Sequence, residues 1–300
     1  MKFLIFLFPF FVLSQEQLAK GVVVDSDTDL PIPYVNISVL ESEIGTSSDE
    51  EGNYTLTIEN NNLHKNVKLS SLGYKDTTLL VSSFLKVSKL VLQPLNEQLD
   101  EVVISKKFEE KTLEINKITE DDLCQGFGSS FRNPWILALY FPFEEHYENT
   151  EYLKSVRFHF GNFKNNKAKF RLRLYTIGND GLPQKDLLKE NVIVTLKKKQ
   201  KTVDIDVSDY AIIFPREGLY VAFEWLYIPF NEEEVTFHFG KNNKKKEKRI
   251  RHNPIISGIC AEEGKYKMAA YISGEWKVHS SNKFQSDLKT VPAITLTLSN

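Results

Sequence analysis

Residues 21–58 read GVVVDSDTDLPIPYVNISVLESEIGTSSDEEGNYTLTI, and this stretch decides the fold class. Val35, Ile37 and Val39 alternate with Asn36 and Ser38, so one face of a strand is apolar. Tyr54, Leu56 and Ile58 repeat the pattern with Thr between them. Asp25-Ser-Asp-Thr-Asp29 supplies turn residues before Pro31 and Pro33, which a strand tolerates only at an edge or at its first position. Gly45 to Gly52 is a small polar loop, and Gly52 at a hairpin tip suits a backbone of positive φ. Working outward, Gly21–Val24, Val67–Leu72, Thr77–Val81 and Leu90–Leu92 are further short strand-like runs, each bounded by turn signals. Seven short strands with no helix-length period predict a β-sandwich.

The spacing of Gly21, Asp25, Pro31, Val35, Ile37, Gly45, Thr46, Gly52, Tyr54, Gly73 and Tyr74 resembles the carboxypeptidase-regulatory-like family over residues 20–95. The resemblance implies a transthyretin-like sandwich with no catalytic role of its own, an appendage that packs on or spaces a neighbouring domain. Such modules stand at the N-terminus of TonB-dependent outer-membrane receptors and of other exported Gram-negative proteins. The stretch Leu99-Asp-Glu-Val-Val-Ile-Ser105 resembles the segment that follows the module in those receptors, and is read here as its exit strand. A receptor barrel needs many alternating strands of about ten residues, which residues 106–300 do not supply.

Residues 1–14 read as a signal peptide: Lys2 is a positive n-region, Phe3–Leu13 an apolar core too short to span a bilayer, and Ser14 a small residue before the cut. No later stretch is apolar for eighteen residues, so no transmembrane segment is expected in the mature chain. The expected location is the periplasm, the cell surface or the medium. Export permits a disulfide, but two cysteines, Cys124 and Cys260, leave a bridge and two free thiols both open. Residues 15–104 carry 14 acidic and 6 basic side chains, whereas residues 105–300 carry 26 acidic and 31 basic. That break in charge predicts two units, and it is too mild to imply nucleic acid. The expected organisation is a first sandwich over 15–104, a linker with room for a short helix over 105–130, and a larger jelly-roll-like sandwich over 131–300.

In the second unit Trp135–Phe141 is a continuous apolar run, a buried strand. Phe170-Arg-Leu-Arg-Leu-Tyr-Thr176 alternates, with Phe170, Leu172 and Leu174 inward and Arg171, Arg173 and Tyr175 outward. About ten strands are expected. Phe158-His-Phe-Gly161 recurs as Phe237-His-Phe-Gly240, placing His159 and His238 on non-core faces. Lys241–Arg251 and Lys197–Lys201 read as solvated hairpin loops. Asp25, Asp27 and Asp29 start like a calcium loop, but its sixth and twelfth positions hold Leu30 and Asn36 instead of Gly and Glu.

Nothing at the spacing of a phosphate loop, a nucleophile elbow or a zinc site appears, so no enzyme, metal or cofactor is expected. The Glu144, Glu145, His146 and Glu148 cluster sits in one loop, not across a cleft, and a hydrolase is the last alternative. The leading expectation is an envelope protein that binds a glycan or a protein partner. Its candidate contacts are Trp276, Trp225 and Tyr271, whose rings could stack on a pyranose, together with the outward-facing Arg171 and Arg173. A structural assembly component without a small ligand is the alternative. Nothing in the sequence sets the oligomeric state.

Overall fold

A computed structural model describes residues 16–95, 110–129, 133–161, 167–239, 245–280 and 288–300. The signal peptide read at 1–14 and the exit strand read at 99–105 lie outside these residues. The described chain is nearly all β. The first unit holds β1 (Glu16–Asp25), β2 (Asn36–Val39), β3 (Gly45–Ser47), β4 (Asn53–Glu59), β5 (Asn66–Ser70), β6 (Thr77–Leu80) and β7 (Lys89–Leu92), with one short helix, α1 (Val81–Phe84), between β6 and β7. The strands form a three-stranded sheet, β4-β1-β7, and a four-stranded sheet, β3-β2-β5-β6. Val23, Val35, Ile37, Val39, Tyr54, Leu56, Ile58, Val67 and Leu69 fill the space between them. Tyr54 packs on Phe84 of α1 with ring centroids 5.4 Å apart. Gly52 and Gly73 adopt φ of +76° and +81°, as their turns require. The acidic turn is closed by Asp25, whose Oδ1 accepts the amides of Asp27 and Thr28 and whose Oδ2 accepts the Tyr74 hydroxyl.

The second unit holds β8 (Thr112–Ile115), β9 (Leu123–Ser129), β10 (Ile136–Phe141), β11 (Tyr152–His159), β12 (Ala168–Ile177), β13 (Pro183–Asp186), β14 (Val192–Leu196) and β15 (Thr202–Asp206). It continues with β16 (Leu219–Trp225), β17 (Glu232–Phe239), β18 (Lys245–Glu262), β19 (Met268–Ile272), β20 (Glu275–His279), β21 (Leu288–Pro292) and β22 (Ile294–Ser299). One sheet runs β13-β12-β16-β10-β19-β20, with β14 also on β12; the sheet facing it runs β15-β11-β22-β8. Phe158 of β11 meets Phe170 and Phe223 at 5.6 and 5.3 Å between ring centroids, so the inner faces of the two sheets interdigitate. A third sheet, β17-β18-β21 with β9 on β18, closes one side.

Several expectations change here. The described part of 105–130, expected as linker and helix, contributes β8 to β22 and β9 to β18. In β8 the reason is a short alternation: Leu113 and Ile115 pack on the core while Glu114 turns outward to Arg157, 3.0 Å away. Cys124 on β9 and Cys260 on β18 form a disulfide that pins this segment. Residues 131–300, expected to hold about ten strands, hold thirteen among the described residues, β10 to β22. Of the basic run expected as a loop, the described residues 245–251 belong to strand β18 and pair with residues 233–239 of β17, Arg251 facing Glu233 and Arg249 facing Val235. His159, expected on a non-core face, is buried, and its strand pairs with β15 and β22, so His159 and His238 sit in different sheets.

The largest change concerns the outward face of β12. Arg171, Arg173 and Tyr175 do point away from the sandwich core, yet Arg171 is fully buried and Tyr175 nearly so. The first unit lies over them. Its strand β2 buries both faces: Ile37 against its own core, Asn36 and Ser38 against the second unit. Arg171 Nη2 donates to Tyr34 O at 2.7 Å and to Glu224 Oε1 at 2.8 Å, and Asn36 Nδ2 donates to the same oxygen at 2.6 Å. Ser38 donates to Asn133 at 2.8 Å, the Ser47 amide donates to Tyr227 O at 3.2 Å, and the Tyr227 amide donates to Ser47 Oγ at 3.1 Å. Gly45 permits the close approach, since a Cβ there would stand 2.6 Å from Pro134 Cδ and 2.7 Å from Ile37 O.

Candidate functional site

The outer face of the large sheet is built from cross-strand rows. One row runs Arg171, Glu224, Ile136, Tyr271 and Trp276 across β12, β16, β10, β19 and β20. The next runs Arg173, Ala222, Ala138, Ala269 and Val278. Residues of one row share a face of the sheet. The three alanines are small, so the rings on either side can lean over them. Trp276 reaches Tyr175 of β12 at 5.2 Å between ring centroids and Tyr271 at 5.4 Å, both edge-on. That span crosses three strands, diagonally over the row of alanines.

The first unit covers part of this face and leaves a cleft of about 260 Å³. Ile136, Arg173, Tyr175, Gln184, Tyr271 and Trp276 line it from the second unit. Asn36, Lys68, Ser70, Ser71 and Asp76 line it from the first. Neither unit makes the cleft alone. Lys68 Nζ pairs with Asp76 Oδ2 at 2.9 Å, donates to Gly274 O at 3.2 Å and lies 5.8 Å from the Tyr271 ring centre. Burial works against the Lys68 ammonium, but Asp76 and Tyr271 outweigh it and leave the group above its usual range. Arg173 Nε pairs with Asp186, and its Nη1 lies 3.5 Å from Glu224 Oε2. Burial pushes the Asp186 carboxyl up while Arg173 and the Leu188 amide pull it down. Burial also raises Tyr175 and Tyr271, which stay neutral phenols at ordinary pH.

Of the five residues picked from sequence, three converge here: Trp276, Tyr271 and Arg173. Trp276 lies on strand β20 and is half-buried, not on an exposed loop. Arg171 stands behind the cleft in the buried network. Trp225 is removed from it altogether: it is fully buried in the core, stacked on Trp135 at 4.4 Å with its Nε1 donating to Pro254 O at 2.7 Å. Sequence reasoning missed Lys68, Asp76 and Gln184, because nothing in a strand's own pattern says which neighbouring unit will face it. The Glu144–Glu148 cluster lies on one exposed turn, with Glu148 held by Arg216 at 2.9 Å. Among the described residues no group of three or more His, Cys, Asp or Glu could hold a metal, and no helix is long and apolar enough to cross a membrane.

Residues 19–104 match the family described as CarboxypepD_reg-like domain, the resemblance read at 20–95. TonB-dependent receptor P3 of Formosa agariphila is 31% identical over 94 residues, which are 31% of this chain and 9% of that receptor. The chain therefore spans under a tenth of the length of this curated relative. Among solved structures, the cysteine protease and lectin-like domains of Cwp84, a surface layer associated protein of Clostridium difficile, align with 58% of this chain and 33% of their own. Identity is 15% and the TM-score 0.33, a likeness too slight to carry any argument.

Proposed function

We propose that this chain is a non-enzymatic binding protein of the bacterial envelope, and that it recognises a saccharide in the cleft between its two units. The cleft carries the reading. A half-buried indole, two tyrosines and a set of polar groups converge on a space of about 260 Å³. Saccharide sites combine aromatic surface for the apolar C–H face of a pyranose with donors and acceptors for its hydroxyls, and the lining supplies both. The volume suits one or two sugar rings, below the usual range for larger ligands. The CarboxypepD_reg-like match and the receptor relative support an exported, envelope setting. In this reading the first unit is not a passive spacer, since it contributes one wall.

A glycan array probed with the full chain tests the proposal. Binding that Trp276→Ala abolishes, with the thermal transition retained, is the expected result; an array with no hits overturns it. A protein partner is the second reading, favoured by the β17–β18 arm, where Phe237 and Ile250 are exposed. Capture of an envelope protein that depends on Ile250, and not on Trp276, is the result that would favour it.

A further inference from the structure

The charges around the cleft narrow the ligand. Three cations and three carboxylates stand at or behind its walls: Lys68, Arg171 and Arg173 against Asp76, Asp186 and Glu224. Each cation is already paired. Lys68 holds Asp76 at 2.9 Å, Arg171 holds Glu224 at 2.8 Å, and Arg173 holds Asp186 and approaches Glu224. An incoming carboxylate or sulfate would find no spare positive charge. It would also have to shed its water beside Asp76.

A sugar hydroxyl has the opposite requirement. It both donates and accepts, so a fixed ion pair serves it well: the carboxylate accepts one proton while the ammonium donates to a neighbouring oxygen. Lys68 and Asp76 are the pair at the cleft with room for this, their side chains 22% and 52% exposed. Gln184, exposed on β13, adds an amide with both functions. Trp276 lines the same cleft.

Resting on the saccharide reading above, we infer that the cleft selects a neutral pyranose, with Lys68 and Asp76 as the residues that read adjacent hydroxyls. Asp76 then sets specificity. It holds the Lys68 charge in balance, and without it the cleft carries one unpaired cation.

The test is calorimetric titration of the full chain with methyl glucoside, methyl mannoside and methyl galactoside against the corresponding methyl uronides. Neutral sugars should bind at least about tenfold more tightly than uronides, for lack of a free cation to partner the carboxylate. Uronides binding as well or better overturns this inference and leaves the saccharide reading standing. Binding of none of them at millimolar concentration, together with an empty glycan array, overturns both. The variant Asp76→Asn keeps the shape of a half-exposed side chain and unmasks Lys68. Its uronide affinity should rise about fivefold or more while neutral sugars weaken; an unchanged preference overturns the role given to the pair.

Discussion

Replacing Arg171 by Met should test whether the two units are fused by a buried charge network. Arg171 and Glu224 are both fully buried, and the guanidinium also holds Tyr34 O and Asn191. Methionine fills much of the same volume without the charge. Glu224 would keep Asn36 Nδ2 at 2.6 Å and Arg173 Nη1 at 3.5 Å, but would lose its closest cation in a site closed to water. Removing one partner of a buried pair costs about 3–5 kcal/mol, because the other charge stays buried uncompensated. The freed Tyr34 carbonyl adds to this, an orphaned acceptor costing about 1–3 kcal/mol. Together these give about 4–8 kcal/mol, and the lower end alone corresponds to a fall in Tm on the order of 10 °C for a chain of this size. Urea unfolding followed by tryptophan fluorescence measures it. Adding Glu224→Leu should restore at least half of the loss, since the double variant removes both charges. A loss under about 1 kcal/mol, or a double variant no better than the single one, would refute the argument.

Further outcomes follow from the same structure. Serine at both Cys124 and Cys260 opens a bridge between residues 136 apart and should cost about 4–5 kcal/mol by chain entropy, read from denaturant midpoints with no added reductant. Gly45→Ala should cost about 1–3 kcal/mol, because its Cβ would strike Pro134 and the Ile37 carbonyl; Gly73→Ala, with open space around it but φ of +81°, should cost about 1–2 kcal/mol from backbone strain alone. The Asp25–Tyr74 contact predicts stability limits at both ends of the pH scale. The Thr28 amide, ahead of Asp27 and Tyr74, holds the Asp25 carboxyl below its usual range, so this contribution is complete above the unfolded pKa of about 4 and lost as pH falls through the lower folded value. Burial and then Asp25 push Tyr74 up to about 12, so its contribution is complete below about pH 10 and lost between there and 12. Tyr74→Phe should flatten the alkaline limb of a thermal-melt pH series, and a limb of unchanged slope would count against the assignment.

Much of the first unit was legible because its strands alternate cleanly. Val35, Ile37 and Val39, or Tyr54, Leu56 and Ile58, need no distant partner to declare an inner face. The second unit was legible in class and less so in extent. β8 is only four residues long and β9 holds two glycines and polar residues with little alternation, and their docking on β22 and β18 makes them strands. The candidate site was half legible. Trp276 and Tyr271 announce themselves as rings near polar residues, whereas Trp225 gives the same signal and is core.

What the sequence determined by itself is local: the period of two, the turns of positive φ, the spacing of the first module and the break in charge between the units. These depend on near neighbours and on the backbone, so one strand at a time reveals them. The tertiary structure decided which polar faces meet water. Asn36 and Ser38 look like the wet side of β2, as Arg171 and Arg173 look like the wet side of β12. The two faces cover each other, and their hydrogen-bonding groups satisfy one another instead of solvent. An alternating pattern states that a face is polar; whether that face is surface, interface or the wall of a cleft depends on a partner more than a hundred residues away in the chain.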